Sequence, residues 1–185
     1  MRLLYNNIRL SSSVTVSRYE ELEKQEDRAS LAKFIQERFE ERYFLPMLDS
    51  QSKHGFTFMA IGCLVVETLE AFYQGRADTK GASKAVFREF FNRYAPLSQF
   101  GHDGDWFFEN IRCGILHQGE TRDGWRIKRS GLLLDKERKS INADQFVIEL
   151  RKAVAMYGQH LMVNDDCWKN FKKKMKSVCA NCRNS

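Results

Sequence analysis

The stretch FTFMAIGCLVVETLEAFY, residues 56–73, contains the longest nearly apolar run of the chain. That run extends from Phe56 to Val66, ends at Glu67, and is too short to span a bilayer. The whole stretch is longer than a normal strand and places apolar residues on every side of a helix. It therefore predicts a helix that is buried nearly all round, at the centre of a mostly α-helical fold.

Helical periodicity on both sides of this stretch extends the prediction. Helices are expected at Tyr19 to Leu48 with a kink or end at Pro46, at Ser83 to Tyr94, at Asp103 to Leu116 with Asp103 or Asp105 as the cap, and from Asn142 or Asp144 to Met162. Between them we expect a turn at 49–55, a loop at 75–81 and a short β-hairpin over 125–134 that turns at Ser130 and Gly131. The predicted fold class is mostly α, a bundle of four to five helices with a small β-hairpin insert.

Length and composition favour one folded domain. The chain has 185 residues, of which 43% are hydrophobic and 12% aromatic, so it has enough apolar surface to fold and is not disordered or collagen-like. The expected organisation is an N-terminal lead-in at 1–18, a helical domain at 19–163 and a basic C-terminal tail at 164–185.

The net charge of +6 is concentrated in this tail. Six basic residues and no acidic ones follow Trp168, and the rest of the chain holds 24 basic and 24 acidic residues. A flexible or helical basic tail is suited to contact phosphates. A solvated terminus that aids solubility is an equally good interpretation.

The cysteines and the N-terminus indicate a cytoplasmic protein without a membrane segment. Five cysteines, an odd number, fit a reducing compartment better than a disulfide framework. Residues 1–7 turn polar before any signal-type apolar stretch develops. Cys179 and Cys182 form a single C-x-x-C, which is too few ligands for zinc, so we expect no metal and no cofactor.

The segment RCGILH, residues 112–117, is the best candidate for chemistry. Arg112 and His117 are five residues apart, which on a continuous helix corresponds to a rotation of about 140° and different faces. Gly114 and Gly119 would let the helix loosen or end, so that His117 could approach Arg112. An arginine fork matches phosphate oxygens, and a histidine exchanges protons near neutral pH. Because RNA carries its own nucleophile, the 2′-OH, such a pair suits metal-independent RNA cleavage.

This segment resembles the Arg-x4-6-His motif of the HEPN superfamily. The resemblance implies an all-α fold with the motif at a late helix end, and a homodimer in which two Arg–His pairs face a shared cleft. It also implies an endoribonuclease of a toxin or antiphage-defence type, with an antitoxin or regulatory protein as a further partner. Arg112 would then stabilise the transition state, and His117 would be the general base or acid. Active members often have a polar residue after the arginine, where this chain has Cys113.

Other residues are candidates for supporting roles. Glu67 lies in the apolar helix and needs a partner, so it forms either a structural salt bridge to Arg112 or a contact that orients the catalytic arginine. Glu109 and Asn110 flank the motif, where they would hydrogen-bond His117, contact a neighbouring chain, or simply be exposed. The candidate RNA-binding residues are Arg122, Arg126, Lys128 and Arg129. Trp125 either stacks on a base or packs on the helices.

Two alternatives to catalysis stay open. The first is a non-catalytic HEPN-like module that binds RNA, a nucleotide or a partner protein with the same pocket. The second is a helical scaffold without a ligand. Two His117 imidazoles facing one groove would favour catalysis, whereas a buried Arg112–Glu67 bridge would favour a structural role.

Overall fold

The structure is a computed structural model that describes residues 8–48 and 54–183. Most of these residues are helical, and three short strands form one small sheet. The predicted fold class, mostly α with a small β insert, is confirmed. The turn expected at 49–55 lies largely outside the described residues, and Gly55 already belongs to a helix.

The chain divides into two compact units. Unit 1 comprises Met1–Pro46, Ala71–Asp78 and Val154–Ser185, and unit 2 comprises Met47–Glu70 and Thr79–Ala153. These boundaries differ from the lead-in, domain and tail expected from the sequence, a division that stays a prediction.

Unit 1 begins with two helices where one was expected. Helix α1 spans Val16–Lys24 and helix α2 spans Arg28–Phe39. The prediction of one helix from Tyr19 to Leu48 is wrong because Glu26 adopts a left-handed φ of 52°. The side chain of Asp27 then caps α2 by accepting a hydrogen bond from the backbone N–H of Ser30 at 3.0 Å.

The chain then widens into a π-turn over Glu40–Phe44, which is followed by the short helix α3, Leu45–Leu48. Pro46 lies inside α3, where its ring has no backbone N–H to donate. The sequence predicted an end or kink here, and the irregular turn is found just before the proline.

The basic tail is helical. Helix α7 spans Ala143–Val163, and helix α8 spans Asp165–Arg183. Asn164 separates them and caps α8 by accepting a hydrogen bond from the N–H of Cys167 at 2.8 Å. Phe171 and Met175 of α8 are fully buried in unit 1, where Phe171 stacks on Phe72 with ring centroids 5.9 Å apart.

Helix α4, Gly55–Gln74, confirms the apolar helix that the sequence predicted, but the helix is not buried nearly all round, since Phe56 and Leu64 are exposed. Among the described residues it is the one helix that is long and apolar enough to span a membrane. Of its 18-residue apolar stretch, 56% is buried inside the protein. A buried core helix meets the same criteria, so this is weak evidence for a membrane.

Helix α5, Ser83–Arg93, confirms the next prediction, and its Val86, Phe87, Phe90 and Phe91 are buried. A 3-10 helix over Ala95–Phe100 follows, with Pro96 in its first turn. The remaining helical elements of the motif region are a π-turn over Phe107–Arg112 and helix α6, Cys113–Gln118. Phe100, Phe107 and Phe146 form the aromatic centre of unit 2, with ring centroids 5.1–5.5 Å apart.

The predicted cap at Asp103 or Asp105 is wrong. The π-turn over Phe107–Arg112 has no side-chain cap. The carboxylate of Asp105 instead accepts hydrogen bonds from Arg88 at 2.9 and 3.0 Å, and Asp103 pairs with Lys136 at 2.6 Å. Salt bridges to neighbouring elements therefore replace the local capping bond.

The predicted hairpin is also wrong in its pairing. Strands β1, Arg126–Lys128, and β2, Leu134–Asp135, both pair with a third strand, β3, Ser140–Asn142. Strand β3 lies between them, parallel to β1 and antiparallel to β2. All three of its residues are buried, as suits a strand with a neighbour on each side. Asn142 also fulfils its predicted role, since its side-chain oxygen accepts hydrogen bonds from the N–H groups of residues 144 and 145 at the start of α7.

Candidate active site

Arg112 and His117 are carried by two successive helical elements of unit 2. Arg112 is the last residue of the π-turn Phe107–Arg112, and His117 lies in the last turn of α6. Helix α6 is regular across Gly114 and ends at Gly119, which has a left-handed φ of 68°. The sequence predicted that the helix could loosen between the two residues, and it does not. The irregular turn ends at Arg112 instead.

The π-turn also fixes the loop that follows α6. The backbone carbonyl of Asn110 accepts a hydrogen bond from the N–H of Arg122 at 2.9 Å, outside the helix. Gly114 lies directly beneath this loop, since a Cβ atom there would be 2.5 Å from the carbonyl oxygen of Glu120. Only glycine fits this close approach. The loop is thus held against the helix beside His117.

A carboxylate from α4 anchors the guanidinium of Arg112. Its Nε donates to Oε1 of Glu67 at 2.9 Å. The other oxygen, Oε2, accepts hydrogen bonds from the hydroxyls of Thr79 at 2.8 Å and Ser83 at 3.2 Å. The side chains of Arg112 and Glu67 are 18% and 16% exposed. Three donors therefore hold Glu67 in place, and Glu67 in turn sets the position of Arg112.

Sequence reasoning missed Thr79 and Ser83. The available signal was Glu67 itself, because an acid in an apolar helix needs partners. Ser83 begins the next predicted helix and Thr79 lies in the loop before it, which brings two hydroxyls to the same short segment.

The second arm of Arg112 reaches His117. Nη1 of Arg112 lies 3.2 Å from Nε2 of His117, whose side chain is exposed. A guanidinium has donors only, so a hydrogen bond across this contact requires Nε2 to be the acceptor, which is the tautomer with the ring proton on Nδ1. The predicted proximity of Arg112 and His117 is therefore found, although the helix between them does not unwind.

The guanidinium of Arg112 is held in its positively charged form. Burial disfavours the charged guanidinium, but the hydrogen bond and negative charge of Glu67 outweigh it, so that the pKa of Arg112 lies above its ordinary value. A contact with the thiol of Cys113 acts in the same direction. The guanidinium also lies over the ring of Phe108, 5.4 Å from its centroid. The site thus presents a permanent cation beside an exposed imidazole.

The two flanking candidates are used differently from the hydrogen bonds suggested for them. Glu109 is exposed and pairs with Lys84 at 2.8 Å rather than with His117. Asn110 contributes its backbone carbonyl, through the bond to Arg122. Both therefore stabilise elements around the site.

The four candidate RNA-binding residues are not equivalent. Arg122 is next to the site, where its Nε donates to Oε1 of Gln118 at 3.2 Å. Arg126 and Lys128 are exposed at alternate positions of β1. Arg129, in contrast, forms an ion pair with Asp144 and lies over the ring of Phe58, 4.5 Å from its centroid. Arg129 is therefore already engaged within the fold.

Of the two roles predicted for Trp125, stacking on a base or packing within the fold, the structure shows packing. Its side chain is 8% exposed and stacks on Trp106, with ring centroids 4.1 Å apart and an interplanar angle of 15°. Such a ring has no free face on which a base could stack.

The C-x-x-C of the tail lies on α8, where Cys179 is buried and Cys182 is half-buried. Across residues 8–48 and 54–183, there is no group of three or more His, Cys, Asp or Glu side chains that could hold a metal ion.

Comparison of the chain with models of protein families, with curated proteins and with solved structures gives no match. The resemblance to the HEPN superfamily accordingly depends on the short motif and its position at a helix end.

Proposed function

We propose that this protein is a metal-independent endoribonuclease that uses Arg112 and His117. The observation that carries the proposal is the 3.2 Å contact between Nη1 of Arg112 and Nε2 of His117, on an arginine that Glu67 holds from the other side. A fixed cation and an exposed neutral imidazole within one hydrogen bond of each other are the groups that 2′-OH chemistry requires.

The contact also suggests how substrate would start the reaction. A phosphate oxygen is a stronger acceptor for Nη1 than a neutral imidazole is, because it is charged. When a phosphodiester binds Arg112, Nε2 of His117 becomes free to accept the 2′-OH proton. The 2′ oxygen then bonds to phosphorus and the bond from phosphorus to the 5′ oxygen breaks. The products are a 2′,3′-cyclic phosphate and a 5′-hydroxyl.

The leaving 5′ oxygen needs a proton, which a second acid must supply. A homodimer with two Arg–His pairs at one cleft would provide it from the imidazolium of the second copy. We include this dimer in the proposal, with RNA bound through Arg122, Arg126 and Lys128. A cytoplasmic toxin or antiphage-defence protein, controlled by an antitoxin or regulatory protein, is the corresponding biological setting.

One observation favours a second candidate, a non-catalytic HEPN-like module that binds RNA, a nucleotide or a partner protein. The Arg112–Glu67 bridge is more than four-fifths shielded from solvent on both side chains, as a structural ion pair would be. Cys113 also replaces the polar residue that is frequent in active members. In this alternative Arg112 positions the loop and a ligand, and His117 donates or accepts a hydrogen bond without proton transfer.

Cleavage of mixed RNA in EDTA distinguishes the two. The wild-type protein is compared with His117→Ala and with a matched control, His102→Ala, which removes another exposed histidine of unit 2. We expect cleavage with cyclic phosphate ends by the wild type and the control, and none by His117→Ala. Binding of RNA without cleavage by the wild-type dimer would refute the nuclease and favour the binding module.

A further inference from the structure

A groove of about 440 Å³ lies in unit 1 between α1 and α8. Its α8 wall carries Lys172, Lys173 and Lys176, and its α1 wall carries Tyr19, Glu20 and Glu23. The volume is that of an ordinary ligand site. The two walls have opposite charge.

The lysines of α8 are directed into this groove by the core on the other side of the helix. Phe171 and Met175 are fully buried, which fixes the rotation of α8 about its axis. Lys176 follows Lys172 by four residues and Lys173 by three, so it lies on the same side of the helix as both. No ion pair engages these three lysines within residues 8–48 and 54–183. They also belong to the segment that carries the entire net positive charge of the chain.

Three lysines without an ion pair on one wall match the phosphates of a nucleic-acid backbone, although the ammonium of Lys172 also lies over the ring of Trp168, 5.3 Å from its centroid. The carboxylates on the facing wall would repel those phosphates, but they are good acceptors for ribose hydroxyls. Of the two nucleic acids only RNA offers both groups along its backbone, because DNA lacks the 2′-OH. We propose that the α1–α8 groove binds single-stranded RNA, with phosphates on Lys172, Lys173 and Lys176 and ribose 2′-hydroxyls on Glu20 and Glu23.

A lipid surface fits this groove less well. A helix that lies on a membrane inserts its apolar face between the lipids. In α8 that face is occupied, because Trp168, Phe171 and Met175 are buried in unit 1. The exposed lysines of α8 would then contribute only a weak electrostatic contact.

The inference deepens the proposed function and rests on it for the class of ligand, so its test measures binding separately from cleavage. The protein carries His117→Ala, which prevents turnover, and the probes are a short single-stranded RNA and the DNA of the same sequence. Lys173→Glu/Lys176→Glu is compared with Lys33→Glu/Lys152→Glu, an equal charge change at two exposed lysines outside the groove.

We expect the groove variant to bind RNA at least about tenfold more weakly than the control. The slope of log affinity against log salt should decrease by about 1.4, since each phosphate contact on a single strand contributes about 0.7. Glu20→Ala/Glu23→Ala should reduce the preference for RNA over DNA severalfold. Circular dichroism verifies that each variant is folded.

Cleavage by the otherwise wild-type protein is measured in parallel. If the otherwise wild-type protein cuts RNA but the groove variant and the control variant bind RNA equally, the groove inference is wrong and the nuclease proposal stands. If RNA binds through the groove and is never cut, the groove stands and the nuclease fails. Absence of RNA binding, or binding only to phosphatidylserine vesicles, would overturn the groove inference.

Discussion

Helix α4 carries two glutamates one turn apart, and each pairs with an arginine, but the two arginines use their donors differently. Arg93 directs Nη2 and Nε to the two oxygens of Glu70 at 2.8 and 3.3 Å, and Glu70 is 0% exposed. Arg112 gives Glu67 only Nε and turns Nη1 toward the exposed His117. Glu67 accepts from Thr79 and Ser83 in place of the second arginine donor.

The difference shows how one kind of ion pair can serve two purposes. In the Arg93–Glu70 pair two guanidinium nitrogens, Nε and Nη2, donate to one buried carboxylate, which suits a structural bridge. In the Arg112–Glu67 pair two hydroxyls occupy the second carboxylate oxygen, so Arg112 gives this carboxylate one donor instead of two. The hydroxyls of Thr79 and Ser83 therefore leave more of the guanidinium of Arg112 for other acceptors than Arg93 has.

The strongest test of this contrast exchanges each arginine for lysine. We expect Arg112→Lys to lower the rate of RNA cleavage about 10²–10³-fold, because one ammonium cannot hold Glu67 and reach a phosphate with the geometry of the fork. Arg93→Lys should leave the rate per folded molecule unchanged. Equal losses in both variants, measured with the same RNA in EDTA, would contradict the division of roles.

The converse effect is expected for stability. Arg93→Ala leaves the buried Glu70 without its main partner, which should lower the free energy of unfolding by about 3 kcal/mol. His117→Ala, at an exposed position, serves as the comparison and should change it by less than about 0.5 kcal/mol. Urea denaturation monitored by circular dichroism measures both. A stable Arg93→Ala protein would show that the Glu70 pair is not structural.

Gly114→Ala should affect the site alone. Its new methyl group would meet the carbonyl of Glu120 at 2.5 Å, so the loop at 120–122 must move. We expect a loss of about 1–3 kcal/mol in stability, as in other overpacked positions, and a lower cleavage rate. Gly104→Ala is a control at a glycine with open space around it, although its φ of 90° adds backbone strain there. If Gly114→Ala cleaved RNA at the wild-type rate, the loop would not contribute to the site.

The smallest effect is expected where Glu67 meets its hydroxyl partners. Thr79→Val keeps the shape of the side chain and removes one hydrogen bond, which should cost about 1 kcal/mol of stability. With Glu67 less restrained, cleavage should decrease severalfold. Ser98→Ala, which removes a hydroxyl bonded to the carbonyl of Ala95, provides the control for a lost hydroxyl elsewhere in unit 2. An unchanged rate in Thr79→Val would mean that Arg112 alone positions Glu67.

The sequence alone was sufficient to predict the helices whose apolar residues form a long run or a regular helical pattern. The apolar run that became α4 predicts a helix because it is too long for a strand, and the phenylalanines of α5 predict one because burial on one side leaves a regular pattern. The nearness of Arg112 and His117 was also predicted, but its physical reason was wrong, because α6 stays regular across Gly114 and the irregular turn ends at Arg112.

Other elements could not be predicted because their cause lies elsewhere in the chain. Strand β3 has three buried residues and no alternation, and it forms because β1 and β2 pair with it from both sides. The π-turn that ends at Arg112 has the same residue types as an α-helix, and the bond from the N–H of Arg122 to its carbonyl at Asn110 forms only when the loop after α6 returns to it. The hydroxyls of Thr79 and Ser83 are found only when the loop after α4 returns to Glu67.

That π-turn makes the site depend on the length of the chain as well as on its side chains. A π-turn holds one residue more than the α-helix it interrupts, so removing a single residue from Phe107–Arg112 would restore a regular helix while the segments before and after it keep their rotation. In a regular helix the carbonyl of Asn110 would point along the axis to the N–H four residues on, and its bond from the N–H of Arg122 would be lost. A deletion of one residue is thus the smallest genetic change that would release the loop beside His117 while leaving the side chains of Arg112 and His117 in place.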